Sequence, residues 1–432
     1  MVIKGNKSFI SIPKLWRLFE RFLAVMGPSY VDHCVRTAYL MLRLCEQQKI
    51  DDKTKKMLVF ASYFHDLGSI GKDKDYLLSC DYDTLHSVDG YLLLRYKSPL
   101  KEAAKVILYH HTAYDQHIDD PYFLYGVKIA LCDRLDDWER NEVPYNVLID
   151  SIREQGGEAF NPDDVDAMLK IVDAVDLRYD IKSGKYKKVL YDYIATIPFS
   201  SEEINGFLLM LSSLFELYDS ITYNHSKTVA VVGYQLAKLM GRHDDDCFKC
   251  FFAGLIHDLG KIFIPLSILD KPARLTPEEF EVMKDHVVYS RELTKDLFPR
   301  EIVDIATYHH ERLDGTGYPN GLKDRQMTEL EEIMQVSDVV SALLAKRSYK
   351  EEYPYEKVRE ILLRSTPDKF NKKVVDAFID NHEEVVALAN SIIKEGYEEA
   401  EAMAKHREEL ISYVKTKKAI LPGMPLSNFY RG

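Results

Sequence analysis

The chain has 432 residues, 46% hydrophobic and 29% charged, a balance that excludes disordered, collagen-like and coiled-coil classes. Its 57 basic and 69 acidic residues give a net charge of −12. That argues against a duplex nucleic-acid surface built on bulk positive charge, so a nucleotide ligand would need local cations.

From the N-terminus, residues 1–16 lack the apolar core of a signal peptide, and no stretch nears the roughly 18 apolar residues that span a bilayer. Six cysteines scattered along the chain make no disulfide framework. Together these features predict a cytoplasmic protein without a membrane partner. Apolar residues recur at three-and-four spacing in Lys55–Phe64, Ala103–Tyr109, Phe248–Ile256 and Ile302–Tyr308, which predicts helices. The exception is Tyr179–Ile197, where Ser183-Gly184 between short apolar segments predicts a hairpin. Cys247 and Cys250 form one CxxC; without a second CxxC or a βαβ setting, they read as small residues in a helix rather than a redox or zinc site. Beyond Tyr353-Pro354, Lys372–Lys417 predicts one or two helices with a Glu-rich outer face. Their apolar stripe runs through Phe378, Val385, Leu388, Ile392, Met403, Leu410 and Val414. Such a stripe is expected to pack on the second domain or on a sister subunit, which allows a homodimer. The fold class is therefore all-α.

The chain repeats itself. Phe60-Ala61-Ser62-Tyr63-Phe64-His65-Asp66-Leu67-Gly68 returns as Phe252-Ala253-Gly254-Leu255-Ile256-His257-Asp258-Leu259-Gly260, an offset of 192 that also carries His33 onto His225. Offsets of 200, 199 and 205 carry His86 onto His286, His110-His111 onto His309-His310, and Asp133 onto Asp338. Slowly drifting offsets are what two copies of one fold produce when insertions fall in loops. The expected organisation is a first helical domain over 1–150, a connecting region over 151–200, a second helical domain over 201–352 and a C-terminal helical extension over 353–432.

Ten of the fourteen histidines fall in these two sets, each joined by two aspartates. Neutral imidazole and carboxylate suit borderline metals such as Fe, Mn, Zn or Ni. Adjacent residues on one helix point about 100° apart, so Asp258 can bridge two ions. One ion would take His225, His257, Asp258 and Asp338, the other Asp258, His286, His309 and His310. Two cations about 3.5 to 4 Å apart activate a shared water and neutralise charge on a phosphoryl group under in-line attack, which predicts phosphoester hydrolysis.

These His-Asp pairs with flanking histidines resemble the HD phosphohydrolase superfamily. The run His309-His310-Glu311-Arg312-Leu313-Asp314-Gly315-Thr316-Gly317-Tyr318-Pro319 resembles the signature of its HD-GYP subfamily. The resemblance covers about residues 202–352. It implies an all-helical domain around a two- or three-metal centre that opens cyclic dinucleotides, chiefly cyclic di-GMP and in some tandem relatives cyclic GMP-AMP; two ions, Fe or Mn foremost, are expected in this chain. Lys261 matches the lysine of the family's HDxGK motif, with an ammonium that could contact the phosphate or protonate the leaving oxygen beside the bridging Asp258. Arg347 and Lys350 match a segment expected to clamp substrate phosphates. Gly317 is expected to take a backbone conformation closed to other residues, and Tyr318 to offer a ring and hydroxyl to the substrate or simply to pack the loop. Relatives with a third metal carry a Glu where this chain has Ile221, and the usual Asp three residues after the metal Asp is Ser341.

The first set (His33, His65, Asp66, His86, His110, His111 and Asp133) keeps every ligand type, and so a second pair of metals is conceivable there. It has Ser69 in place of Lys261, and it lacks the Gly-Tyr-Pro run. It is read either as a metal-loaded domain of weak or different activity, as a regulatory domain, or as a dimerisation scaffold. Arg134, Asp136 and Asp137 are left between site and surface. For the whole chain the alternatives to a cyclic dinucleotide phosphodiesterase are a nucleotidase or alarmone hydrolase and a non-catalytic cyclic-dinucleotide receptor.

Overall fold

Many helix ends are set by local hydrogen bonds that the sequence encodes. Asp51 accepts from the Thr54 amide at 3.0 Å and opens the helix Asp52–Tyr63. Thr276 and Glu279 exchange side-chain and backbone bonds at 3.3 and 2.7 Å to open Pro277–Thr294; such reciprocal caps satisfy amides that lack an intrahelical partner. A computed structural model describes residues 8–70, 82–140, 143–174, 177–216, 224–269, 271–345 and 353–416. Among them the regular structure is helical and no strand occurs, so the chain is all-α.

The chain separates into two units, Met1–Val25 with Phe199–Glu401, and Met26–Pro198 with Ala402–Gly432. In the first, helices His225–Leu239, Asp244–Ile256, Pro277–Thr294, Arg300–Thr307 and Glu329–Leu344 surround the second His-Asp set. Its N-terminal piece is tied in by Phe19 against Phe207, with ring centroids 5.9 Å apart, and by Arg21 donating to the Leu293 carbonyl at 3.0 Å. In the second unit, helices Pro28–Gln47, Asp52–Tyr63, Tyr82–Lys97, Lys101–Leu108 and Phe123–Arg140 hold the first set. There Arg407 donates to Asp89 at 2.6 Å, and His406 stands edge-on to Tyr91. One helix, His382–Thr416, therefore contributes residues to both units.

The hairpin expected over Tyr179–Ile197 is not formed. Helices Leu177–Lys182 and Lys185–Thr196 occupy the segment, and Gly184 turns between them at φ 75°. Tyr186, Leu190 and Ile194 are the buried residues of the second helix, a four-residue recurrence that only a helix brings to one face. Cys247 and Cys250 lie buried as free thiols in the helix Asp244–Ile256. No helix among the described residues is long and apolar enough to cross a membrane.

The helices His225–Leu239 and Asp244–Ile256 approach closely because Gly254 has no side chain. A Cβ there would lie 2.4 Å from Ala230 Cα. Since that contact is with backbone, G254A is expected to lower unfolding free energy by about 1–3 kcal/mol, the usual cost of overpacking, as read from denaturant melts.

Candidate metal centres

In the unit that holds the second set, the His-Asp pair sits just past the end of its helix, not within it as expected. The helix stops at Ile256, and a 3-10 turn Leu259–Phe263 follows. This aims both side chains inward. Asp258 splits its oxygens between two groups of imidazoles: Oδ2 lies 3.2 Å from His257 Nε2 and 3.9 Å from His225 Nε2, while Oδ1 lies 3.3 Å from His286 Nε2 and 3.9 Å from His309 Nε2. Asp338 Oδ1 is 3.3 Å from His225 Nε2 and 3.9 Å from His257 Nε2. His310 closes a third corner with His286 and His309.

The rings are held from behind. His257, His286 and His309 place Nδ1 at 2.8, 2.6 and 2.6 Å from the carbonyls of Gly254, Met283 and Ala306, which leaves the Nε2 lone pairs pointing at the centre. The facing atoms His257 Nε2, His286 Nε2, His309 Nε2 and Asp258 Oδ1 are buried without hydrogen-bond partners. Native interiors rarely leave such atoms unsatisfied, and this donor set is one a divalent transition metal satisfies. Electrostatics agree: burial and the neighbouring His257 push His309 down to about 3, so it is a neutral imidazole. Burial opposes the charge on Asp258, yet His257 and Lys261 hold it well below the usual carboxylate range.

The other unit repeats the construction. The helix ends at Tyr63, and His65-Asp66 precede the 3-10 turn Leu67–Ser69. Asp66 Oδ1 lies 3.4 Å from both His65 and His86 Nε2, and Asp66 Oδ2 lies 3.7 Å from His33 Nε2. Asp133 Oδ1 is 3.2 Å from His33 Nε2, and His86, His110 and His111 gather with Asp66. All seven residues of each set thus converge. Asp136, left undecided from sequence, is fully buried and contacts His33 Nδ1 at 2.7 Å. Arg36, which sequence reasoning passed over, binds that carboxylate; a cation one helical turn after a ligand histidine was the available signal. Burial opposes the imidazolium of His33, but Asp133 and Asp136 raise it to about 9.

Beside the second set lies a cavity of about 440 Å³, lined by ligands and by Lys261, Lys271, Arg312 and Tyr318. Lys261 Nζ is 2.5 Å from Asp258 Oδ2, whereas Ser69 in the first copy turns its hydroxyl onto the Asp66 carbonyl at 2.6 Å. Tyr318 stacks on His310, with centroids 4.6 Å apart. Gly317 does not take the expected left-handed conformation; Gly315 and Gly321 do, at φ 79° and 64°. What Gly317 provides is closeness, since a Cβ there would lie 2.4 Å from Arg312 N and Glu311 Cα. Arg347, Lys350 and Ile221 lie outside the described residues. Lys271 and Arg312 went unrecognised, because a lysine in a loop and an arginine within a signature carry no mark of facing a cavity.

Glu311 follows the double histidine, but it is no ligand. Fully buried, its carboxylate accepts from the amides of Asn320 and Leu322 at 2.7 and 2.8 Å and so frames the loop that carries Tyr318. Bonds to charged acceptors contribute about 1.5–3 kcal/mol. E311A is therefore expected to cost at least about 2 kcal/mol and to expose the 312–322 loop to limited proteolysis, with E311Q intermediate.

Residues 30–138 and residues 210–374 each match a family model described as HD domain. The chain is 28% identical over 407 residues to "3'3'-cGAMP-specific phosphodiesterase 1" of Vibrio cholerae serotype O1, covering 88% of this chain and 94% of that protein. It is 36% identical over 210 residues to "Cyclic di-GMP phosphodiesterase" of Thermotoga maritima, covering 48% of this chain and 57% of the relative. A solved structure of a V. cholerae cyclic GMP-AMP phosphodiesterase, V-cGAP3, aligns with TM-score 0.51 at 17% identity over 88% of this chain and 97% of the other, a likeness of fold. With one matched domain in each unit, the chain belongs to the HD-domain family and carries the domain twice.

Proposed function

We propose that the chain is a metal-dependent phosphodiesterase that opens a cyclic dinucleotide, cyclic di-GMP or cyclic GMP-AMP, to a linear dinucleotide or mononucleotides in the unit containing His257 and Asp258. The observation that carries this reading is the cavity where the unsatisfied ligand atoms of His286 and Asp258 meet the cations Lys261, Lys271 and Arg312. In an acidic chain, that is where cationic side chains line a cavity of about 440 Å³, with Lys261 paired to Asp258 and Lys271 to Glu279. The curated relatives named above act on such substrates.

His225, His257, Asp258 and Asp338 would hold one ion, and Asp258, His286, His309 and His310 a second. The mixed nitrogen and oxygen donors suit Fe or Mn. When bound, such ions supply the Lewis acidity that activates water and offsets phosphoryl charge. The chain's own residues do the rest. The main-chain carbonyls behind His257, His286 and His309 keep those rings in one tautomer. Lys261, on Asp258 and on the cavity wall, would give a proton to the departing ribose oxygen. Arg312, whose guanidinium donates to the carbonyls of His309 and Glu311 at 2.9 and 2.6 Å, presents fixed positive charge to a phosphate. Tyr318 offers a ring face beside His310, and Arg347 and Lys350 would clamp the second phosphate.

The first copy keeps its ligands but has no counterpart of Lys261, so it is read as a metal-loaded domain with a regulatory or weak hydrolytic role. Buried free thiols fit a reducing, cytoplasmic setting; in the apolar stripe of the last helices Phe378, Val385 and Ile392 are already buried by the chain itself, so a homodimer would rest on the half-buried remainder.

D258A is expected to lose the metal of the second set and hydrolysis together, with ring opening reduced by a hundredfold or more. K261M is expected to keep the metal while turnover falls about 10²- to 10⁴-fold. Elemental analysis and chromatography of the linear dinucleotide read the two effects separately. Hydrolysis retained by D258A after the second set has lost its metal contradicts the proposal, as does a preference for linear nucleotides or alarmones over cyclic dinucleotides.

A further inference from the structure

The two copies differ in what stands behind their first histidine. His33 Nδ1 is 2.7 Å from Asp136 Oδ2, and Arg36 reaches the same carboxylate through Nε and Nη2, the latter at 3.2 Å. In the second copy the residue three after the metal-set aspartate is Ser341, and the residue three after the first histidine is Thr228. Both members of the carboxylate–guanidinium pair are therefore replaced. Thr228 turns its hydroxyl to the Asn224 carbonyl at 2.8 Å. His225 Nδ1 and Ser341 Oγ are both buried without a hydrogen-bond partner, whereas His257, His286 and His309 each have a main-chain carbonyl behind them.

An imidazole that binds a cation through Nε2 carries its proton on Nδ1. A carboxylate that accepts this proton raises the ring's basicity and fixes its orientation, and loss of such a partner typically weakens metal binding about 10- to 100-fold. A buried N–H with no acceptor also adds a desolvation cost to the ligating tautomer.

We infer that the two units hold their cations with unequal strength: the ion on His33, His65, Asp66 and Asp133 is resident, and the corresponding ion on His225, His257, Asp258 and Asp338 is readily exchanged. The hydrolytic unit then fills and empties with free metal while the other unit stays loaded. Asp136 acts in this as a positioning residue, through His33. The inference rests on the reading of both His-Asp sets as metal centres.

The test uses the full chain with Mn²⁺ as probe. D258A confines binding to the first set and D66A to the second, and competition with a graded series of chelators gives Kd for each. The expected result is binding about 10- to 100-fold tighter in D258A than in D66A. Adding D136N to D258A should weaken binding about tenfold or more; its unfolding temperature falls in EDTA through loss of the Arg36 pair and falls further, relative to D258A alone, when Mn²⁺ is present, while adding S341A to D66A should change nothing. The paired substitutions T228R and S341D, added to D66A, should tighten it. Equal Kd values in D258A and D66A overturn the inference, as does a D136N whose only effect is an equal loss of stability with and without metal. If D136N does not fold, the T228R/S341D pair decides, and unchanged affinity there overturns it. Absence of bound metal in both D258A and D66A would instead defeat the metal reading itself.

Discussion

Each unit depends on one constraint: a buried carboxylate surrounded by imidazoles whose lone pairs converge on it. Asp258 lies within 3.9 Å of four Nε2 atoms, and Asp66 within 3.8 Å of four. Burying so many acceptors is costly without a cation or protons to share. The surrounding helices are organised to hold them nonetheless. Each His-Asp pair sits where an α-helix gives way to a 3-10 turn, and the tightened backbone turns both side chains to the same interior. Carbonyls near the ends of the helices Asp52–Tyr63, Lys101–Leu108 and Arg300–Thr307 take the Nδ1 protons of His65, His110 and His309, so the helix termini orient the ligands.

The contacts retained by both copies show which parts of the architecture the centre requires. Gly68 and Gly260 stand where a Cβ would fall 2.1 Å from the carbonyls of His86 and His286. In both units the turn after the His-Asp pair therefore lies directly on the helix that supplies the next histidine, and a side chain there would push that ligand away. What differs is everything aimed outward from the ligands. Lys261 against Ser69, and the loop framed by Glu311 against the short turn Tyr114–Gln116, are where the described residues of the two units differ. The duplication kept the convergence of ligands and changed what faces a substrate.

The all-helical fold and the convergence of the two His-Asp sets were legible because they depend on spacing. Three-and-four recurrence survives in any helix, and seven ligand types in one order, twice, survive insertions in loops. Misreadings arose where the decisive fact was a partner far away in sequence. Ser183-Gly184 has the composition of a hairpin turn, but the burial of Tyr186, Leu190 and Ile194 against helical neighbours made the flanks helical. Asp136 could not be told from a surface charge until His33 and Arg36 were seen on either side of it. Residues 12–23 join a unit whose other residues begin at 199, a pairing that no local pattern announces.

The Gly-Tyr-Pro run shows how a short motif divides its labour. His309 and His310 turn to the centre, while Glu311 turns away to hold the amides of Asn320 and Leu322, and Asp314 and Lys323 close the loop with a single antiparallel bridge. Gly317 lets the returning backbone lie against Glu311 and Arg312, which brings Tyr318 onto the face of His310. A substitution at Glu311 or Gly317 therefore acts on the site without touching the His-Asp set, by moving the Tyr318 ring that stacks on His310. The letters nearest the double histidine are a frame, and the tyrosine reaches the site only because that frame is tight.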